Sequence, residues 1–431
     1  MREVSVRKTS LKDIRIKISA SNFIYIQIFY LMIVFFLRDV FGMPSAITYV
    51  TDVIMVLAFL CCLRRIQRTM NLAQARIQLY IIIAILLFMC LGAILNTVDP
   101  LLFVWGIRNN LRFFLFFLSC IVLLDTHDVD NLFKLILVFF WINAIVVTIQ
   151  YFALGISKDY LGGIFGIQQG SNTYTNILLC IVMSYTVSSF FKSKLSILKL
   201  VLYLAVIFYI AVLAELKVVY AEFIVVFIVA VISQKPSLKT IGLLLIGLLA
   251  LIFGLWLLGA YDPDALNVFL DSDVFDRYLS GNGYTNSGDL NRFTAVAQIQ
   301  EMFFSGSWVN TLFGFGLGSC DTSSFTLFQS DFFYQYEYLH YRWFSHAWVY
   351  LEQGIIGLIL LLLFFVSILF YCIKRRKKSS GNSYMLSAFL FTITTLIGII
   401  YNCGLEVEAC YMIAFVCAVP FIVIKSNNKA R

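Results

Sequence analysis

The segment TIGLLLIGLLALIFGLWLL, residues 240–258, runs without a charged side chain. Its length falls in the range of roughly 17–25 residues that a helix needs to cross a hydrocarbon core about 30 Å thick. In lipid, every backbone N–H and C=O must find its partner inside the protein, which leaves helices and closed barrels as the only spanning structures. The short alternating segments of a barrel do not occur here. Similar apolar blocks recur, and we place candidate spans near 22–37, 45–63, 77–95, 106–124, 132–154, 172–191, 198–214, 218–233, 240–258, 344–373, 384–401 and 405–425. The chain is 61% hydrophobic and 13% charged, whereas a soluble domain carries roughly a quarter charged residues. The expected fold class is an all-α integral membrane protein with twelve transmembrane helices.

The basic residues orient these spans. With the N-terminus inside, 24 of the 32 Lys and Arg fall in cytoplasmic segments, including KRRKK at 374–378 and the C-terminal KSNNKAR. The outer side keeps Arg38, Arg108, Arg112, Lys158, Lys217, Arg277, Arg292 and Arg342. That asymmetry follows the positive-inside rule and puts both termini in the cytoplasm. The net charge of +8 therefore reflects topology, and no nucleic-acid partner is expected. No cleavable signal peptide is evident, because Arg38-Asp39 follows the first apolar run in place of small residues. The ten cysteines lie mostly within spans and form no CxxC pair, so neither a zinc site nor a disulfide framework is expected.

Three regions follow: a nine-span membrane region over 1–258, an extracytoplasmic loop over 259–341, and a three-span region over 342–431. A loop of that length in a compact protein is usually functional or disordered, and its many aromatics argue against disorder. Within it, DLNRFTAVAQIQEMFF places Phe293, Val296, Ile299 and Phe303 near helical spacing, which predicts an amphipathic helix over the membrane mouth. The run LFGFGLGS (312–319) lets the backbone turn sharply. It lacks the Lys-Ser/Thr that would make it a phosphate loop. Asp262-x-Asp264 and Asp271-x-Asp273 read as a solvated acidic loop.

Ionisable groups at a membrane boundary are costly unless paired or functional. RNNLR sets Arg108 and Arg112 one helical turn apart. The turn AELKVVYAE holds Glu215, Lys217 and Glu222, while Arg277, Arg292 and Arg342 belong to the long loop. His346 opens the next span, with Glu352 six residues on and facing away on a regular helix. Each has a bland reading: interface anchors, local ion pairs, a solvated helix face, a hydrogen-bonding histidine beside Trp343 and Trp348. A common anionic ligand explains why six cations and a histidine share one side.

Several stretches resemble the O-antigen polymerase and O-antigen ligase superfamily, multi-span enzymes that transfer glycans from polyprenyl diphosphate outside the plasma membrane. GDLNRFTAVAQ, LFGFGLGS and SHAWVYLEQGIIGLI follow the order of that family's Arg-containing helix, glycine turn and His-led span. GGIFGIQQGSNTYTNILL is similar to its Gly-rich entry, with Asn172 opening a span. The likeness covers about residues 155–370. Two positions depart from the pattern: Glu215-Leu216-Lys217 stands where many relatives carry Ser-Arg, and Ala347 where many carry Asn.

The resemblance implies a metal- and cofactor-independent glycosyltransferase that joins lipid-linked repeat units into O-antigen, capsule or exopolysaccharide in the bacterial inner membrane. Fixed cations would stabilise the leaving diphosphate. Arg292 is the expected clamp, with Arg108, Arg112, Lys217 and Arg277 in support, and His346 the expected general base. Asn172 is expected to bind glycan or diphosphate, and Glu352 to have a structural or acceptor-binding role. The partners implied are undecaprenyl-diphosphate-linked oligosaccharide, membrane lipid, and a chain-length regulator or flippase. A ligase acting on another envelope acceptor is the alternative. A flippase would show two similar halves and need no long loop. A small-solute transporter would carry ions near mid-span, where Glu222 is the exception among ionisable residues that otherwise hug the outer boundary. A non-catalytic scaffold stays open as a further alternative.

Overall fold

The computed structural model describes residues 19–235, 237–281, 283–284, 288–323, 325–375 and 383–429. Helix is the regular secondary structure of the described residues, and no strand occurs among them. Nine helices among them are long and apolar enough to cross a membrane: Asn22–Val40, Arg76–Leu95, Pro100–Leu123, Thr126–Phe152, Asn172–Phe191, Leu238–Tyr261, Ser345–Arg375, Ser383–Tyr401 and Cys410–Lys429. The predicted span 45–63 is instead a pair, Ser45–Leu60 and Leu63–Leu72, bent by 43°. Two shorter apolar helices, Ile197–Leu213 and Val218–Ile232, meet at a sharp turn. These are the elements of a multi-pass membrane protein.

Burial runs opposite to hydropathy. Leu238–Tyr261 is among the most apolar of these helices and the least buried, whereas Asn172–Phe191 and Cys410–Lys429 are almost wholly enclosed. The enclosed helices can carry polar groups such as Asn176, Ser184 and Lys425 because protein, and not lipid, surrounds them. Lys425 donates to the carbonyl of Ile121 at 2.6 Å and also to that of Leu124, capping the end of Pro100–Leu123.

The segment after Tyr261 folds as a cap of short helices, Pro263–Leu270, Ser272–Ser280, Ala295–Ile299, Trp308–Phe313 and Asp331–Tyr336. It has its own apolar cluster, in which Leu290, Ile299, Phe304 and Tyr341 pack against Phe344, Tyr350 and Leu351 of the following segment. The predicted amphipathic helix begins later than its periodicity implied. The Asn291 side chain accepts from the Phe293 N–H at 2.9 Å, a turn that delays the helix until Ala295. Phe293 is consequently exposed, and the buried face is Ala295, Ile299 and Phe304.

The helix Ser345–Arg375 breaks at Gly354, where φ is 60° and ψ is −165°. All nine residues before the break, Ser345 through Gln353, are buried. They form a half-helix enclosed by protein, which is where interrupted helices are tolerated in membranes.

Candidate functional site

A cavity of about 630 Å³ opens where the cap meets the helix ends. Six stretches distant in sequence contribute to its lining: Phe35 to Thr48, Lys158 to Asn176, Glu215 to Lys217, the cap residues Tyr278, Tyr284 and Arg292, the pair Trp343 and Phe344, and Tyr401 to Glu408. Its floor is set by the loop GGIFG. Gln150 Oε1 accepts from the Gly163 N–H at 2.8 Å, Asn143 Oδ1 from Ile164 at 2.9 Å, and Asp39 Oδ2 from Ile167 at 2.8 Å. Buried side chains thereby satisfy backbone donors that the loop leaves unpaired. Asn172 begins its helix on this floor and donates from Nδ2 to Asp159 at 2.9 Å.

Arg292 enters the cavity through an aromatic cage. Its guanidinium carbon lies 3.9 Å from the ring centroid of Tyr401, 4.5 Å from Tyr284, 5.4 Å from Phe344 and 5.7 Å from Tyr278. Partly desolvated cation–π contacts are worth about 0.5–2 kcal/mol each. They hold the charge in place without neutralising it as a carboxylate would. Nε and Nη1 have no hydrogen-bond acceptor among the described residues.

Lys217 lines the same cavity and has no salt bridge among the described residues. Beside it, Glu215 sits in the left-handed region at φ 50°, an uncommon setting for a residue with a long side chain. Glu215 Oε1 lies 3.8 Å from Lys158 Nζ, itself largely exposed. Burial lifts the Glu215 carboxyl above its ordinary value, and Lys158 only partly offsets this. Arg38, another lining residue, is held by Asp39 at 2.6 Å.

Arg108 and Arg112 stand apart from these. Arg108 pairs with Asp52 at 2.6 Å. Arg112, buried, meets Glu408 at 3.1 Å and donates to the Glu406 carbonyl. Tyr174 donates to the other Glu408 oxygen at 2.8 Å. Burial works to raise the Glu408 carboxyl, but Arg112 and Tyr174 outweigh it and hold it below its ordinary value. Both expected clamp arginines are thus committed to carboxylates, and neither lines the cavity. Asp52 and Glu408 lie 56 and 296 residues from their partners, a separation that no local pattern reveals.

His346 is buried behind Phe344, their ring centroids 6.0 Å apart. Its Nδ1 donates to the Ile399 carbonyl at 3.2 Å, and the ring also meets the Arg292 backbone. It does not line the cavity. Glu352, by contrast, is fully buried under the glycine turn, accepting from the Cys320 N–H at 3.2 Å. The Phe315 N–H donates to the Leu351 carbonyl at 2.8 Å. A Cβ on Gly314 would lie 2.5 Å from the Glu352 carbonyl carbon, and one on Gly354 would lie 2.5 Å from that of Leu312. LFGFGLGS and the EQG break are therefore one interlocked unit, with Glu352 held inside it. Gly354 meets this loop at its break. The side chain of Arg277 lies outside the described residues.

The structure thus gathers Arg292, Lys217 and Asn172 on one cavity and leaves Arg108, Arg112, His346 and Glu352 in its supporting frame. Residues passed over by the sequence reading are Tyr278, Tyr284 and Tyr401, which cage Arg292, and Glu408. Among 23 tyrosines nothing in the local sequence sets those three apart. No family model matches the chain, and no curated protein matches it.

Proposed function

We propose that this protein polymerises lipid-linked oligosaccharide repeat units into a surface polysaccharide, by glycosyl transfer from undecaprenyl diphosphate at the outer face of the bacterial plasma membrane. In this reading the chain crosses the membrane twelve times with both termini cytoplasmic, and the 259–341 cap covers an extracytoplasmic reaction chamber. The observation that carries it is the shared cavity of Arg292, Lys217 and Asn172, walled by Tyr278, Tyr284, Trp343 and Tyr401. Two cations without carboxylate partners suit a diphosphate, and aromatic faces suit sugar rings.

The acceptor hydroxyl oxygen attacks the anomeric carbon while the bond from that carbon to the diphosphate oxygen breaks. The diphosphate leaves with the electron pair, and Lys217 and Arg292 stabilise its developing charge. We assign the acceptor proton to Glu215 in preference to His346. Glu215 lines the cavity and is only loosely paired, and a base with an elevated pKa works closer to neutral pH. His346 then positions Phe344 and the Arg292 backbone.

The test is deletion of the gene followed by gel profiling of the surface glycan. Collapse of a ladder to single repeats supports a polymerase. Full-length chains stranded on the carrier lipid identify a ligase, and repeats trapped at the inner face identify a flippase.

A further inference from the structure

Below the large cavity lies a second, smaller one of about 20 Å³, enough for one water-sized occupant. Five helices line it: Asn172–Phe191, Val218–Ile232 and Ser383–Tyr401, with Ser345 of Ser345–Arg375 and Ile413 of Cys410–Lys429, together with the turn that holds Asn402 and Leu405. Glu222 faces it, only 1% exposed. Its Oε2 accepts from Asn176 Nδ2 at 2.8 Å and from Cys180 Sγ at 3.0 Å. No lysine or arginine pairs with Glu222 among the described residues. A buried carboxylate with donors but no counter-charge is incomplete, because the cost of removing one charge from water is offset only by an opposite one.

The remaining lining supplies oxygen acceptors. Thr394 and Thr395 both donate their hydroxyl protons to the Phe391 carbonyl, at 2.9 and 3.0 Å. Ser345 donates its own to Glu406 at 2.5 Å. All three oxygens therefore keep lone pairs free. Asn176 Oδ1 accepts from Asn402 Nδ2 at 3.2 Å, so the amides are oriented with their donors used. A single carboxylate among neutral oxygens is a hard, oxygen-rich environment with room for one positive charge. Calcium and magnesium sites draw on more carboxylates or several retained waters.

We propose that the pocket formed by Glu222, Asn176, Thr394, Thr395 and Asn402 binds one monovalent cation of sodium size. Asn176 and Asn402 line both cavities, so the ion fixes the floor of the larger one. The site does not depend on the glycosyl-transfer reading, and its test involves no turnover.

The full chain in lipid nanodiscs is titrated with sodium chloride against choline chloride at equal ionic strength, following the unfolding midpoint, and radioactive sodium binding is counted at equilibrium. The expected result is one bound sodium per chain and a saturable rise in the midpoint of a few degrees in sodium only. Both are lost in Glu222→Gln and weakened in Thr395→Val, which keeps the shape without the oxygen. Equal midpoints in the two salts with no bound sodium in the unaltered protein overturn the proposal. So does a sodium response that survives Glu222→Gln, or a midpoint that answers to pH alone, which would make the occupant a proton. If Glu222→Gln does not fold, the sodium count on the unaltered protein and on Thr395→Val decides.

Discussion

Arg112 and Glu408 meet at 3.1 Å in the protein interior, joining Pro100–Leu123 to the turn before Cys410–Lys429. Tyr174 closes the arrangement from a third helix. Removing one partner of such a pair strands the other charge, which costs about 3–5 kcal/mol. Glu408→Ala is therefore expected to lower the unfolding midpoint strongly and reduce membrane yield. The double variant Arg112→Met with Glu408→Met should recover much of the loss. Thermal unfolding in detergent measures both, and a double variant no better than Glu408→Ala would show that the pair's charge is not what matters.

Arg292 and Lys217 are held in the cavity without carboxylate partners, so their removal should affect turnover more than folding. Arg292→Ala and Lys217→Ala are each expected to lower the rate of glycan transfer by about 10²–10³-fold, the scale for removing one donor to developing charge. The unfolding midpoint of Lys217→Ala should stay close to that of the unaltered protein, while Arg292→Ala should lower it by what its cation–π contacts contribute. Lys217→Arg should retain much of the activity. Full activity in both alanine variants would remove the diphosphate clamp from the mechanism.

Glu215 gives a pH signature. With its pKa above the ordinary carboxylate value, a base at this position loses activity as pH falls through that elevated pKa. Glu215→Gln should abolish transfer across the range, while His346→Ala should lower it without removing the acid limb. Rate profiles of purified protein on a lipid-linked acceptor separate the two. An acid limb that disappears in His346→Ala would return the base to the histidine.

Glu406 bears on stability instead. Burial pushes its carboxyl up to about 7, against the opposing hydrogen bond from Ser345. Between the ordinary value of 4.5 and about 7 the folded state holds a proton that the unfolded chain has released. Stability from this group accordingly falls as pH rises through that window and levels off above it. At about 1.4 kcal/mol per pKa unit, the change is on the order of 3 kcal/mol. Glu406→Gln should flatten the midpoint-against-pH curve there, and an unchanged slope would assign it to other groups.

The glycine interlock is tested by Gly314→Ala. Its φ of 68° disfavours a side chain, and the added Cβ would meet Glu352 backbone that cannot yield locally. The expected effect is a loss of several kcal/mol, as for other overpacked and strained positions. Limited proteolysis should show the cap opening first. A variant as resistant as the unaltered protein would mean that the turn and the half-helix are not interlocked.

The helical membrane architecture is legible in the sequence, because length and hydropathy alone decide what a segment such as 240–258 can do in lipid. Spans near 22–37, 77–95 and 172–191 became helices with closely matching ends. Arg292 and Lys217 are marked by a simple cost argument, since ionisable groups at a membrane boundary need a reason to be there, whereas Asn172 is marked by the family resemblance alone. What composition could not convey was which charges were already answered. Arg108 and Arg112 look as available as Arg292 along the chain, yet Asp52 reaches them from a distant helix and Glu408 from a distant turn, while the rings of Tyr278, Tyr284, Phe344 and Tyr401 surround the Arg292 guanidinium. The same holds for Glu352, claimed by a glycine turn, and for His346, turned toward Ile399. Pairing is a property of three-dimensional proximity. It was settled when the helices packed and the cap closed over their ends.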